Sequence, residues 1–544
     1  MPVHPDSSPD IPPPTGAPGW PPPSSAAFLA RASVLLAGAT LLSRLLGLVR
    51  EMLIARYYGA SGQTDSFFYA LIIPEILRTL IISGAVASVF IPIMTETQRS
   101  GRKNESRKLA GMMLSFVSIL AIIVVASGEI IAPMLVNFSR FLSFAQEPLD
   151  LEQFRLTTEL IRIFLPVVLF VGLWGLMGGI LNALDNFHVP GLAPLAWNGA
   201  IIIILVLVGK YGDVRHVAWA FVIGHFIQML VHLPALRQAG IYPVMVDWKH
   251  PMILKFLQLA PAAVLAYAAQ AINAFIGQGI ALTRLSESSA SSLAYAFRIQ
   301  QLPMAIFGVS VATALFPTLS RHAVSGSSKE LMGSLASGLR MTALATLPAI
   351  VFFLILPVKV IRLLLERGAF TSGNTYDVAL ALYAYSWAIL PMALTLLTAR
   401  TFFSLKDTRT PAILGIFSVL VFYPTCLFLS SRFDFTGIAF STAIVSWILL
   451  IVSVAILHHR HRDSASLLAS IGFLSPVQML IAALAEAAAL IGYRMLWGEV
   501  HGLIQLIIMI TGGIVIGGGI YLSLLRLMKN PDLDSTLRRF LKRN

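Results

Sequence analysis

Apolar runs of about 20 residues recur from one end of this chain to the other. A run of that length satisfies its own backbone hydrogen bonds as a helix. That is the condition for crossing a bilayer, where no water is present to satisfy loose amides. The runs fall at 28–57, 66–98, 109–137, 156–183, 190–208, 214–238, 251–283, 290–321, 331–357, 375–405, 411–430, 437–458, 470–496 and 501–527. They predict an all-α polytopic membrane protein with about 14 transmembrane helices. The balance of residues agrees: 57% are hydrophobic and only 12% charged, about half the charged share of a soluble domain.

The formal net charge of +13 is read as the positive-inside bias of a membrane protein, with no nucleic-acid partner. Basic residues gather in "RSGRKNESRK" (99–108), "HHRHR" (458–462) and the tail "LRRFLKRN" (537–544). An even number of spans puts both termini on that basic side, the cytoplasm. "HHRHR" is taken as a solvated basic loop, with no metal bound. Residues 358–374, with Lys359, Arg362 and Arg367, carry positive charge on the outer side and predict a short amphipathic stretch at the interface. Cys426 is the single cysteine and sits in an apolar run, so a packing role is expected and an intrachain disulfide is excluded. The opening "MPVHPDSSPDIPPPTGAPGWPPPSS" is rich in Pro and Ser and is expected to be disordered. It lacks the pattern of a cleaved signal peptide, so the first apolar helix is expected to remain as a signal anchor.

Span 2, "FYALIIPEILRTLIISGAVASVFIP" (68–92), resembles span 8, "AYAFRIQQLPMAIFGVSVATALFP" (294–317). Each carries Tyr-Ala near its start, then a proline (Pro74, Pro303), a glycine (Gly84, Gly308) and a closing Phe before Pro. The matching spans are six apart, which predicts two six-helix lobes related by an axis along the membrane normal, with a substrate cavity between them. The expected organisation is a disordered Pro-rich cytoplasmic arm (1–27), an N-lobe of spans 1–6 (28–240), a C-lobe of spans 7–12 (241–458), and spans 13–14 with a basic tail (459–544). In span 14, Gly513 and Gly517 are spaced for close helix contact.

Charges inside spans single out the candidate site. A charge at mid-bilayer costs about 2.5–3.5 kcal/mol on insertion scales. Span 1 nevertheless carries Arg44, Arg50 and Glu51, span 2 carries Glu75 and Arg78, and span 8 carries Arg298. At 1.5 Å per residue, Arg44 lies about 18 Å into span 1, Arg50 about 27 Å into it, Arg78 about 18 Å into span 2, and Arg298 about 12 Å into span 8. These depths overlap, so the arginines are expected to face a hydrated cavity. Guanidinium groups match phosphate oxygens, which points to a phosphate- or pyrophosphate-bearing substrate. Internal pairing competes with this reading: Glu75 with Arg78, and Glu51 with Arg50. Ser43 and Asp65, at the head of span 2, complete the supporting polar residues. The phosphate-binding loop "GxxxxGK", "HExxH" and "GxSxG" are all absent from the sequence. A transporter with no cofactor, no metal and no catalytic residue is therefore expected, driven by the membrane potential, an ion gradient or consumption of the substrate elsewhere.

"SRLLGLVREMLIARYYGASGQTDSFFYALIIPEILR" (43–78) resembles the opening signature of the MurJ (MviN) family, lipid II flippases of the MOP exporter superfamily. "LNALDNFHVPGLAP" (181–194), "AYAFRIQQLPMAIFGVSVATALFPTLS" (294–320), "ERGAFT" (366–371) and "RTFFSLKDTRTP" (400–411) extend the resemblance from about residue 30 to the C-terminus. It implies a V-shaped, two-lobed MATE-like fold in the bacterial inner membrane, with spans 13 and 14 forming a groove for a lipid tail. The implied cargo is undecaprenyl-diphosphate-linked disaccharide-pentapeptide (lipid II); a flippase for another polyprenyl-diphosphate-linked glycan is the alternative. The family's cavity arginines fall on Arg44, Arg50, Arg78 and Arg298. Its acidic residue before span 2 falls on Asp65, and its usual aspartate is replaced by Glu51. The chain departs from the family at Glu75 and Thr79, where the family has Asn and a second Arg, and at Phe297, where an acid usually precedes the span 8 arginine. Some members hold sodium through an Asp on span 7 and Asn or Asp on span 11. Here Gly277 takes the first position and span 11 has no acid or amide, so sodium coupling through that site is not expected.

Overall fold

The structure, a computed structural model, describes residues 26–78, 90–145, 149–210, 212–461, 466–500 and 502–535. The N-terminal arm up to residue 25, Thr79 and the tail beyond residue 535 lie outside the described residues.

Among the described residues every regular element is a helix. The first lobe comprises α1 (Ala26–Tyr58), α2 (Gly62–Arg78), α3 (Ile91–Arg99), α4 (Lys103–Ser143), α5 (Leu151–Ala183), α6 (His188–Val208), α7 (Val214–Leu230) and α8 (Leu233–Gln238). The second comprises α9 (Pro251–Arg284), α10 (Ser289–Pro303), a π-helical turn (Met304–Val309), α11 (Ser310–Val324), α12 (Ser328–Ile355), α13 (Pro357–Leu365), α14 (Ser372–Ser404) and α15 (Arg409–Arg460). Then follow α16 (Leu467–Ile471), α17 (Leu474–Trp497) and α18 (Leu503–Leu527).

Ten of the described helices are long and apolar enough to cross a membrane. One of them, α15, is two helices in sequence, because Phe433 and Asp434 leave helical geometry between spans 11 and 12. Helices α1, α2–α3 and α9 occupy the places expected for spans 1, 2 and 7 but are not among the ten.

Aromatic side chains knit the first lobe. Phe67 on α2, Phe164 on α5 and Phe221 on α7 pack ring to ring, with centroids 5.4–6.1 Å apart. Lobe meets lobe where α2 and α4 pack on α9, and α2 on α10. The pair α17–α18 attaches through α12. A Cβ on Gly513 would lie 3.3 Å from Phe352 and Leu356, and one on Gly517 would lie 3.1 Å from Glu486 Oε1. The two glycines therefore admit neighbours that a larger residue would push away. Below the pair, Arg340 Nε donates to Asp532 Oδ2 at 2.8 Å, and Asn530 Nδ2 donates to Gln478 Oε1 at 2.8 Å, which pins the end of α18 to α12 and α17.

A second repeat emerges from the backbone. The joint between α5 and α6 and the joint between α14 and α15 make the same turn. Asp185 (φ 60°) and Lys406 (φ 59°) both take the left-handed region. The next amide reaches back to a helix carbonyl each time: Asn186 to Leu181 and Asp407 to Phe402, both at 2.9 Å. Pro190 and Pro411 then follow at the same offset. This is the 6→1 hydrogen-bond closure expected after a left-handed C-terminal residue. It sits six spans apart, like the match between spans 2 and 8.

Asp407 also braces that joint. It accepts from Thr410 Oγ1 at 2.6 Å and from Arg460 Nη1, of the basic "HHRHR" loop, at 2.5 Å. Burial pushes its carboxyl up, but the Thr410 and Arg460 hydrogen bonds outweigh burial and hold its pKa at about 2. A carboxyl depressed on folding stabilises the fold above its unfolded pKa, and that gain is lost as pH falls toward the folded value. Thermal unfolding of purified protein is expected to show wild type ahead of Asp407→Asn by about 1 kcal/mol at neutral pH, after discounting for the solvent-screened Arg460. The gap closes between about pH 4 and pH 2.

Candidate substrate-binding site between the two lobes

Helix α1 runs without a break through Gly47, so Arg44 and Arg50, six residues apart, fall on different faces. Arg50 points into the first lobe and is only 7% exposed. Its Nε and Nη2 donate to Glu51 Oε1 at 3.2 and 2.7 Å, and Nη1 donates to Asn198 Oδ1 at 3.0 Å. Its guanidinium also lies over Trp197 and Phe221, 4.7 and 5.0 Å from the ring centroids. Aromatic faces and a carboxylate together offset the removal of this cation from water.

Arg298 reaches the same carboxylate oxygen from α10 of the second lobe. Its guanidinium rests 4.9 Å over Phe68, and its side chain remains 27% exposed. Glu51 therefore holds cations from both lobes on one oxygen, while Oε2 makes no hydrogen bond. Two cations and one anion leave a positive excess, presented to solvent through Arg298. Such a surface attracts an anion.

Asn198, 2% exposed, sets the geometry behind Arg50. Its Nδ2 donates to Ser43 O, Ser43 Oγ and Pro194 O, each at 3.2 Å. Ser43 thus braces the residue that orients Arg50. Arg44, on a different face, is exposed and makes no described hydrogen bond or ion pair. It lies about 9 Å from Arg50 along the helix. Glu75 is exposed on α2. The side chain of Arg78 lies outside the described residues.

Asp65 performs a different task. It is 1% exposed and accepts the backbone amides of Ser288 at 2.8 Å and Ser291 at 2.6 Å, at the N-terminus of α10. The N-cap residue Ser288 makes no side-chain cap of its own. The opposite lobe supplies the cap, placing a carboxylate where unpaired amides and the helix dipole favour it. Tyr295 OH donates to Gly59 O at 3.1 Å, and Gly62 N donates to Glu287 Oε1 at 2.8 Å. Nearby, Thr283 Oγ1 donates to Ser143 Oγ at 2.7 Å and Tyr423 OH donates to Leu142 O at 2.8 Å. The described hydrogen bonds between lobes thus gather where α1 turns into α2 and α9 turns into α10. We call this the closed end.

The structure brings Arg50, Glu51 and Arg298 together, leaves Arg44 apart on open surface, and gives Ser43 and Asp65 bracing and capping contacts. Asn198, Trp197 and Phe68 escaped the sequence reading. Asn198 was open to detection as a lone amide within the apolar run of span 5; the aromatic rings carried no signal among so many apolar residues. A Cβ on Gly277 would lie 3.0 Å from Ile438. Asn273 donates to Ser418 Oγ at 3.3 Å, joining α9 to α15.

A family model described as lipid II flippase MurJ matches residues 54–511. A Rickettsia prowazekii protein described as a probable lipid II flippase MurJ is 30% identical over 77% of this chain and 82% of its own length. A Burkholderia cenocepacia protein described as lipid II flippase MurJ is 32% identical over 72% of this chain and 77% of its own length. Among solved structures, one of lipid II flippase MurJ in an inward closed conformation superposes with a TM-score of 0.73. It shares 23% identity and covers 91% of this chain and 99% of that one. A multidrug resistance MATE family transporter of the MOP superfamily, in an inward-facing conformation, superposes with a TM-score of 0.67 at 15% identity, covering 80% of this chain and 98% of that one.

Proposed function

The chain belongs to the MurJ family of lipid II flippases, and from that premise we propose that it moves lipid II from the inner to the outer leaflet of the bacterial cytoplasmic membrane by alternating access. The lobes at 28–240 and 241–458 rock about a cavity whose anion-binding groups are Arg44, Arg50, Arg78 and Arg298. The observation that carries the reading is the sharing of Glu51 by Arg50 and Arg298 from opposite lobes. A diphosphate entering between the lobes competes with Glu51 for the exposed face of Arg298. It offers more acceptor oxygens than one carboxylate and suits the guanidinium fork. Its arrival loosens the contact that holds the lobes together, which is the differential interaction a conformational change requires.

Orientation follows from charge. Helix α4 runs from Lys103 and Arg107 to Ser143 at the closed end, and α15 runs from Asp434 near that end to Arg460. These basic residues therefore lie at the opposite end, so the closed end faces outward and both termini face the cytoplasm. Arg44 then meets the diphosphate first, and Arg298 and Arg50 meet it deeper. Spans 13 and 14, with exposed Leu480, Leu484, Ile504 and Ile508, hold the polyprenyl tail in lipid while the head crosses. The reading needs no covalent step, and the driving force is the membrane potential or an ion gradient.

Binding to protein in nanodiscs tests the diphosphate claim. Lipid II is expected to bind about tenfold or more tightly than the same glycolipid without its diphosphate. Equal binding overturns the assignment of the arginines. A glycan-swapped polyprenyl diphosphate that binds and flips as well as lipid II would instead favour the broader cargo.

A further inference from the structure

We propose that residues 357–375 form a strap that ties the closed-end tip of α1 to the turn between α17 and α18, with Arg362 as its positioning residue. The proposal rests on the flippase reading above and deepens it. The strap makes release of the head-binding helix depend on whether the tail-binding helices are occupied.

At one end the strap grips α1. A helix leaves its last carbonyls without intrahelical partners. Here Ala369 N donates to Arg56 O at 2.8 Å, and Asn374 Nδ2 donates to Ala60 O at 3.1 Å. Asn374 is itself fixed by a reciprocal box with Thr371 at the start of α14. The approach is close enough to require glycine on both sides. Gly368 and Gly59 each have φ 63°. A Cβ on Gly368 would lie 2.3 Å from Arg56 O, and one on Gly59 would lie 2.6 Å from Ala369 O. Phe370, 2% exposed, closes the contact edge-on against Tyr295, the residue that also bonds Gly59. The "ERGAFT" motif therefore docks on the tip of the helix that carries Arg44, Arg50 and Glu51.

At the other end the strap is bolted to the α17–α18 turn. The basic stretch expected along the membrane interface forms α13, but the helix packs into the protein: Lys359 is 9% exposed and its Nζ donates to Gly498 O at 3.3 Å. Arg362 spans both sides of the joint. Its Nη1 donates to Val500 O at 3.3 Å, and its Nε donates to Glu366 Oε2 at 3.0 Å. Glu366 also accepts from Thr375 Oγ1 at 2.7 Å. One guanidinium thus links the turn between the tail helices to the first residue of the docking motif. Arg494, on α17, adds a bond from its Nη1 to Ile355 O at 3.3 Å.

The test reads the coupling directly. Flipping of lipid II with its full polyprenyl tail is compared with flipping of an analogue whose tail is a few carbons long, using full-length protein in vesicles. Wild type is expected to favour the long tail, and Arg362→Ala is expected to shrink that preference about tenfold. A merely structural defect lowers both rates together and leaves the ratio unchanged; that result overturns the proposal. In a Cys426→Ser background, an Ala60→Cys/Asn374→Cys disulfide is expected to block flipping until it is reduced. Undiminished flipping by the cross-linked protein likewise overturns it. If wild type flips neither lipid, it is the flippase reading that fails and not the strap alone.

Discussion

Arg298→Ala is expected to reduce flipping to background while the protein still folds and inserts. The expectation follows from the asymmetry of the Glu51 cluster. Without Arg298, Glu51 Oε1 still accepts two bonds from Arg50, so no buried charge is stranded. What is lost is the one cluster guanidinium with an exposed face. Truncating a charge that pairs with a bound partner costs about 2–5 kcal/mol, which is about 30-fold or more in affinity for a diphosphate. Arg298→Lys keeps the charge and loses the planar fork, so partial activity is expected. Arg44→Ala is expected to resemble Arg298→Ala in outcome, since Arg44 is exposed and holds no described structural bond. Vesicle flipping assays beside size-exclusion profiles separate loss of function from loss of fold.

Glu51→Ala has the opposite character. It strands Arg50, 7% exposed, with one amide oxygen and two aromatic faces as its remaining partners. Removing one member of a buried ion pair costs about 3–5 kcal/mol, more than the pair itself contributes. The expected result is a large fall in thermal stability together with loss of the contact between lobes. Replacing both members, as in Arg50→Leu with Glu51→Ala, removes the stranded charge and is expected to recover most of the stability without recovering flipping. If the single variant is as stable as wild type, Glu51 is not the counter-ion the geometry describes.

The charges in spans 1 and 8 were legible because burial cost alone marks an arginine in an apolar run. Their overlapping depths also led to the expectation that they face one cavity. The sharing of a single Glu51 oxygen by Arg50 and Arg298 was not legible, because it depends on the packing of α2 on α10, which no local pattern encodes. The same holds for Asp65. Its place at the head of span 2 was plain, but its amide partners belong to α10, 223 and 226 residues further along. Repetition was legible once, in the Tyr-Ala and Pro spacing of spans 2 and 8. The shared left-handed turn at Asp185 and Lys406 was hidden, because neither residue type announces positive φ as glycine does. Residues 358–374 show a limit of charge counting. The charges predicted a short amphipathic stretch lying along the interface, but part of it is α13, and carbonyls of the α17–α18 turn take up Lys359 and Arg362.

The measurement that bears most directly on the shared-carboxylate site is lipid II translocation by purified protein in vesicles, with voltage and sodium gradient each held fixed in turn. Wild type is expected to flip lipid II under an imposed membrane potential without a sodium gradient, and Arg298→Ala is expected to flip none. Equal rates for the two proteins, or no lipid II flipping by wild type under any gradient, would contradict a diphosphate site built on arginines from both lobes.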